Sequence, residues 1–340
     1  MPLTPRALQR LAREATVQPY AQAARALRED WRVGLDGKQV QRWADQLGAA
    51  VLAAGAAELL ASECGRPPEG PPNPPELLVI EADGGRVQMR AADPESGSRW
   101  REDKVGTVTS YTPGDGQERP PQPVVKTHVA SLADAREFGR RLRLEAERRG
   151  LHRAGQVLLL GDGAVWIDTT QQEEFPQAVR IVDWIHALEH LNACAKALYG
   201  EGTRAAAAWA ERWEARLWEG EVEAVEAALL RELRRRGGPP GQEAPPDDPR
   251  RIVARELGYF SARRSQMRYG EFRRRGWPIS SGDVEAGVKQ FNKRVKGTEQ
   301  FWSEAGVEAI LALRALWLSQ DERWERYWRT RPAYPVSEVA

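Results

Sequence analysis

Two short apolar runs, each ending in an acid beside glycine, constrain this chain most. Leu77-Leu78-Val79-Ile80-Glu81-Ala82-Asp83 leads into Gly84-Gly85, and Val157-Leu158-Leu159-Leu160-Gly161-Asp162 leads into Gly163. Apolar runs this short, bounded by glycine, read as buried strands. Each delivers a carboxylate to a strand end, with a glycine leaving space beside it. One Asp-Gly is commonly just a turn. Two in the same setting suggest carboxylates that converge at the ends of adjacent parallel strands. Such groups repel each other, and a hard cation relieves the repulsion.

The rest of the chain supports a sheet framed by helices. A Pro/Gly-rich segment, GRPPEGPPNPP at 65–75, separates two textures. Before it, Leu8, Leu11, Ala12 and Ala15 make one helical face, and Tyr20, Ala23, Ala24 and Leu27 make a second. Asp36 can cap a third helix with Val40, Trp43 and Leu47 on its inner side. Helices joined at the tight turn Asp36-Gly37 suit a helix-turn-helix with Lys38, Gln39, Gln41 and Arg42 facing a groove, or a plain helical bundle. After the linker, strands are expected at 77–83, at 86–91 across a turn at Gly84-Gly85, at 104–112, 157–164 and 178–184, with helices at 132–149 and 186–198. Three antiparallel strands followed by βα units fit an α/β fold with a ribonuclease H-like mixed sheet. Further helices are expected over 203–236 and 250–270, around a Gly/Pro linker at 237–249, and over the Trp-rich stretch 304–329. The expected organisation is a helical DNA-binding region at 1–64, the linker at 65–75, a catalytic core at 76–200, an all-helical insertion at 201–275, completion of the core at 276–330, and a tail at 331–340.

A third carboxylate would complete a metal site, and Glu285 is the best candidate. It follows the small-residue turn Ser280-Ser281-Gly282 in a helix's first turn, where the helix dipole alone also favours an acid. Its surroundings are basic. The net charge is only +1, yet residues 263–296 carry ten Lys or Arg against Glu271, Asp283 and Glu285. Such clustering suits a polyanion or a solvated basic helix. Lys289, Lys293, Arg294 and Lys296 are the expected phosphate contacts. Trp302 stacks on an unpaired base or packs in the core. Asp83, Asp162 and Glu285 together would hold two Mg²⁺ or Mn²⁺ ions about 4 Å apart. Gly84, Gly163, Asp183, His186, Ser281 and Gly282 are expected to shape the surroundings of that site. His186 and His190 share a helix face, but without a glutamate in HExxH order they do not make a zinc protease. The mean hydropathy is −0.60 and no window approaches 18 uncharged apolar residues, so no membrane span is expected. Cys64 and Cys194 have no CxxC spacing, and a reducing cytoplasm is the natural setting.

Five segments resemble the DDE transposases of bacterial insertion sequences, specifically the ISKra-type group. They are EADGGRVQMR (81–90), WREDKVG (100–106), LLLGDGAVWI (158–167), FPQAVRIVDWIHALEHL (175–191) and GWPISSGDVEAGVKQFNKRVKGTEQFWSEAGVEAILALRALWLS (276–319). The resemblance covers roughly 1–330, and the last segment is the most specific. It implies a catalytic triad at Asp83, Asp162 and Glu285, with a helical insertion before the final acid. It also implies metal-dependent DNA cleavage and strand transfer, and a homodimer or larger oligomer on DNA in the bacterial nucleoid. The alternatives are a transposase-derived DNA-binding protein and a ribonuclease H-like nuclease without strand transfer. Two departures stand out. Longer members carry a zinc-ribbon-like N-terminal segment, after which this chain begins, and Asp168 stands where the family usually has an aromatic.

Overall fold

The computed structural model describes residues 3–116, 119–241, 243–245, 247–297 and 300–330. The expected tail at 331–340 lies outside the described residues. Three helices open the chain: α1 (Pro5–Val17), α2 (Tyr20–Trp31) and α3 (Gly37–Glu63). Their starts follow the local chemistry. Thr4 caps α1 with proline at its first position, and Asp36 and Gln39 form a reciprocal capping box on α3.

Next come β1 (Leu77–Gln88), β2 (Trp100–Thr112), β3 (Gln122–Ser131), α4 (Ala135–Arg148), β4 (Gln156–Gly161), α5 (Val165–Glu174), β5 (Val179–Val182) and α6 (Trp184–Tyr199). The remainder is helical: α7 (Arg204–Trp218), α8 (Val222–Arg235), α9 (Pro249–Ala262), α10 (Tyr269–Arg274), α11 (Gly282–Val295), α12 (Glu304–Leu318) and α13 (Arg323–Arg329). The strands form one five-stranded mixed sheet in the order β3-β2-β1-β4-β5. Strands β4 and β5 are parallel, with Leu158 opposite Val179 and Gly161 opposite Val182. The α/β class expected from the sequence therefore holds.

Two strand expectations change. The hairpin turn expected at Gly84-Gly85 is absent, and β1 runs straight through it to Gln88. The glycines serve a close approach instead. A Cβ on Gly85 would fall 2.6 Å from Oδ1 of Asp103 on β2, so the carboxylate occupies the space a side chain would take. The second strand expected at 86–91 thus merges with the first. Strand β3, absent from the sequence reading, supplies the missing one; its Val124, Val125, Thr127 and Val129 are the β-branched signal.

The chain divides into two compact units. Unit 1 comprises Met1–Ser110, Pro123–Gly155 and Gly282–Ala340; unit 2 comprises Tyr111–Gln122 and Gln156–Ser281. In unit 1 the N-terminal helices share one core with the C-terminal ones. Leu8, Leu11, Leu27 and Leu47 pack with Val288, Phe291, Ile310, Leu313 and Trp324. Helix α3 has 27 residues and, by length and composition, is apolar enough to cross a membrane, although no membrane span was expected. Its first half is nonetheless in this core, with Val40, Ala44, Leu47 and Gly48 buried. It meets α12 at Gly48, where an added Cβ would fall 2.4 Å from the Ala309 carbonyl oxygen and 2.5 Å from its Cα.

Unit 1 also buries charge. Arg294 donates to the Ala15 carbonyl (2.6 Å) and Arg314 to those of Thr16 and Gln290, which satisfies the open end of α1. Glu145, fully buried, pairs with Arg323 (2.5 Å) and Arg148 (3.0 Å). Those cations outweigh burial and hold its carboxyl down at about 2. His128 on β3 is 5% exposed and meets the Phe291 ring edge-on. Burial, with Lys126 and Arg323 nearby, lowers its pKa to about 4.

In unit 2, α6 packs on α7 and α9, and α8 on α7 and α9. The region expected as a helical insertion is indeed helical there.

Two outcomes follow. Gly48→Ala improves intrinsic helix propensity, but the backbone clash is expected to win and to lower stability by about 1–3 kcal/mol. Gly55→Ala in the same helix meets nothing within 4 Å and is expected to stabilise by about 0.5–1 kcal/mol. Urea midpoints of the two variants check the contrast. On acidification, the unfolded chain protonates His128 near pH 6.5 while the folded chain does not until about 4. His128 alone should therefore contribute a loss of up to about 3 kcal/mol between pH 6.5 and 4, offset in part by Asp103, whose carboxyl, raised to about 6 by burial, takes its proton in the folded chain first. A further loss follows below about 4.5, as Glu145 protonates in the unfolded chain first. His128→Gln should flatten only the upper window in denaturation curves at pH 7 and pH 4.5.

Candidate metal site and basic helix face

The two faces of β2 are distinguishable. A Cβ on Gly106 would meet Leu142 of α4 at 2.6 Å, so the even-numbered side of β2 faces α4. A Cβ on Gly287 of α11 would meet Oγ1 of Thr107 at 3.5 Å, so the odd-numbered side faces α11. Asp103 is two positions from Val105 and four from Thr107, and strand alternation puts it on the α11 side. Its carboxylate lies against Gly85, two residues from Asp83 on the same face of β1. Helix α11 packs on β1.

Asp83 is half-buried, and its Oδ1 accepts the Gly84 N–H at 2.7 Å. Asp103 is fully buried, and neither carboxylate oxygen has a hydrogen-bond partner among the described residues. Burial pushes its carboxyl up to about 6; its own backbone N–H, too poorly placed to count as a hydrogen bond, opposes this, the carboxylates of Glu102 and Asp83 add to it, and Lys296 opposes it. Glu102 faces the other way and takes Lys104 at 3.0 Å. Glu81, also on the Asp83 face, is fully buried. Sequence reading missed Asp103. The available signal was its place at the head of the alternating run Asp103, Val105, Thr107, Thr109, which turns an acid inward.

Glu285 lies in the first turn of α11. Its side chain is 59% exposed and pairs with Lys289 at 2.5 Å. Asp103 feels Lys296, eleven residues further along the helix, or about 16 Å of axial rise. Glu285 and Asp103 thus belong to opposite ends of α11. Among the described residues, no group of three or more His, Cys, Asp or Glu side chains is placed to hold a metal ion.

The basic residues separate by helical phase. Val284, Gly287, Val288, Phe291, Arg294 and Val295 form the buried face of α11, while Lys289, Lys293 and Lys296 form an exposed stripe. Lys296 also lies 5.7 Å from the Trp100 ring. The expectation of a DNA-facing Arg294 and Trp302 gives way to burial. Arg294 is 1% exposed and sits between the Tyr20 and Trp302 rings, at 4.8 and 5.0 Å. Trp302 is buried, and its indole N–H donates to the Val295 carbonyl at 2.9 Å, closing the end of α11. The residues lock a joint instead of presenting a surface.

Unit 2 holds Asp162 directly after β4, as expected. Its Oδ1 accepts the Ala164 N–H at 2.9 Å, tightening the turn. Arg180 donates to the carbonyls of Asp162 and Ile181, and Arg263 to that of Gly163 (2.5 Å). Asp168 bridges the two guanidiniums, at 3.0 and 3.4 Å. Asp168 therefore braces the Asp162 loop. Gly163 is covered by Tyr259, whose ring would lie 2.4 Å from an added Cβ.

Asp183 follows β5, and both of its oxygens are engaged. Oδ1 caps α6 through the His186 N–H (3.0 Å), and Oδ2 accepts from the Ser281 hydroxyl (2.8 Å) and N–H. Gly282 begins α11 immediately afterwards. His186 pairs with Glu189 at 3.1 Å, whereas His190 pairs with Glu256 at 2.5 Å and stacks on Tyr259 at 3.6 Å. The two histidines thus have separate acidic partners.

No protein-family model matches this chain, and no curated protein is similar enough to it to count as a match. Asp183→Ala removes a cap and leaves the buried Ser281 N–H unpaired, so a loss of about 2–4 kcal/mol is expected. Asp183→Asn keeps an acceptor and should lose clearly less in thermal denaturation.

Proposed function

We propose that the chain acts on DNA phosphodiesters with divalent metal, as a DDE-type transposase of ribonuclease H-like fold. Asp83, Asp162 and Glu285 are the proposed metal-binding acids. The observation that carries the reading is the Asp83 face of unit 1. There a half-buried acid shares a face with a fully buried carboxylate that has no hydrogen-bond partner among the described residues, in the same unit as the exposed lysine stripe of α11. A hard cation fits that donor set, because among the described residues no group bonds the buried Asp103 oxygens.

Asp83 would hold such an ion, and Asp162, on its braced turn, is the second proposed ligand. Glu285, paired with Lys289 and at the other end of α11 from Asp103, would join the site only after α11 itself shifts as well as after release of that exposed pair. The chemistry such ions supply is activation of a water or a 3′-hydroxyl and stabilisation of the leaving oxygen. Lys289, Lys293 and Lys296 would take backbone phosphates, making binding fall steeply with salt. The proposed partners are transposon-end and target DNA, bound by a homodimer or larger oligomer.

A DNA-binding protein without chemistry is the second reading. It is favoured by the Glu285–Lys289 pair and by the absence, among the described residues, of a three-carboxylate group. Nicking of supercoiled plasmid in Mg²⁺ or Mn²⁺ separates the two. Wild type is expected to nick, and Asp83→Asn, Asp162→Asn and Glu285→Gln to lose nicking while retaining DNA in filter binding. Nicking that persists in Asp162→Asn refutes the metal assignment. Binding without nicking by wild type selects the second reading.

A further inference from the structure

We propose that Asp103 is a direct cation ligand, sharing with Asp83 one divalent ion on the α11-covered face of β1 and β2. The inference deepens the metal-dependent reading above and rests on it for the role of Asp83.

Three independent observations converge on this placement. Asp103 is fully buried and has no hydrogen-bond partner on either oxygen among the described residues. An ionised carboxylate in that state is expensive to bury, and a fold tolerates it where something absent supplies positive charge. Its position is also built. Gly85 leaves the space its oxygens fill, at 2.6 and 2.9 Å from an ideal Cβ, and any other residue would displace them. Finally, Asp83 lies two residues along β1 from that space, on the same face. Structural acids elsewhere in unit 1 look different: Glu145 and Glu308 have arginine partners, and Asp36 and Asp134 cap helices.

Two carboxylates suffice for an ion such as Mg²⁺, which keeps several waters and commonly takes only one or two protein carboxylates. That count agrees with the absence of a larger cluster among the described residues. The phosphate oxygens of a nucleic acid backbone would replace some of those waters.

The test measures Mn²⁺ binding by the intact chain, through the loss of free-ion signal in electron paramagnetic resonance and the rise in melting temperature with Mn²⁺. Wild type is expected to bind Mn²⁺. Asp103→Asn and Asp83→Asn should each weaken it by about tenfold or more. Glu102→Gln, which alters the other face, should bind as wild type does. Asp103→Asn also removes an unpaired buried charge, so its metal-free melting temperature should equal or exceed that of wild type. Gly85→Ala keeps every ligand residue but displaces the Asp103 carboxylate, and should weaken Mn²⁺ as well; it serves as the second variant if Asp103→Asn does not fold. If Asp83→Asn loses the ion while Asp103→Asn and Gly85→Ala keep wild-type affinity, the Asp103 proposal fails and the metal reading survives. If wild type binds no Mn²⁺, both fail.

Discussion

Charge taken out of water must find a partner, and unit 1 is organised around that constraint. An unpaired buried ion costs several kcal/mol. Arg294 and Arg314 meet the cost with helix-end carbonyls, and Glu145 meets it with Arg323 and Arg148. Each solution joins distant segments. The guanidiniums bind the end of α1 to α11 and α12, and the Glu145 pair joins α4 to α13. Much of what makes the unit's interior specific is therefore polar, set within an apolar core that supplies the bulk of the burial.

Asp103 is the exception within that scheme, and the exception is local. The strand beside it carries two glycines, the acid two residues away is Asp83, and the helix above presents lysines outward. Sites that break the rules of stable packing are where function is expected to reside. Unit 2 presents Asp162 differently. Its loop is braced by Arg180, Arg263 and Asp168, so the backbone around that acid is held rigid by charge-assisted bonds.

Much of the helical structure was legible in the sequence because it is written in local chemistry. The Asp36 cap and the inner face of α1 follow from side chains within four residues of each other. The inward turn of Arg294 was legible too, had its helical phase been followed: it sits three residues after Phe291 and seven after Gly287. Asp103 was harder, since Glu102-Asp103-Lys104 reads as a polar lead-in until the strand is known to begin at Trp100.

The sequence by itself determined the α/β class, the apolar strands that lead to Asp83 and Asp162, and the basic helix that carries Glu285. These rest on periodicity and short-range propensity, which a single chain displays. Only the tertiary structure decided that Gly84-Gly85 lie inside a strand, that Trp302 is interior, and that Asp103 lies against Gly85. Each of those depends on which residue, far away in sequence, occupies the space beside a given backbone atom. Long-range packing sets that neighbour, and no local pattern encodes it.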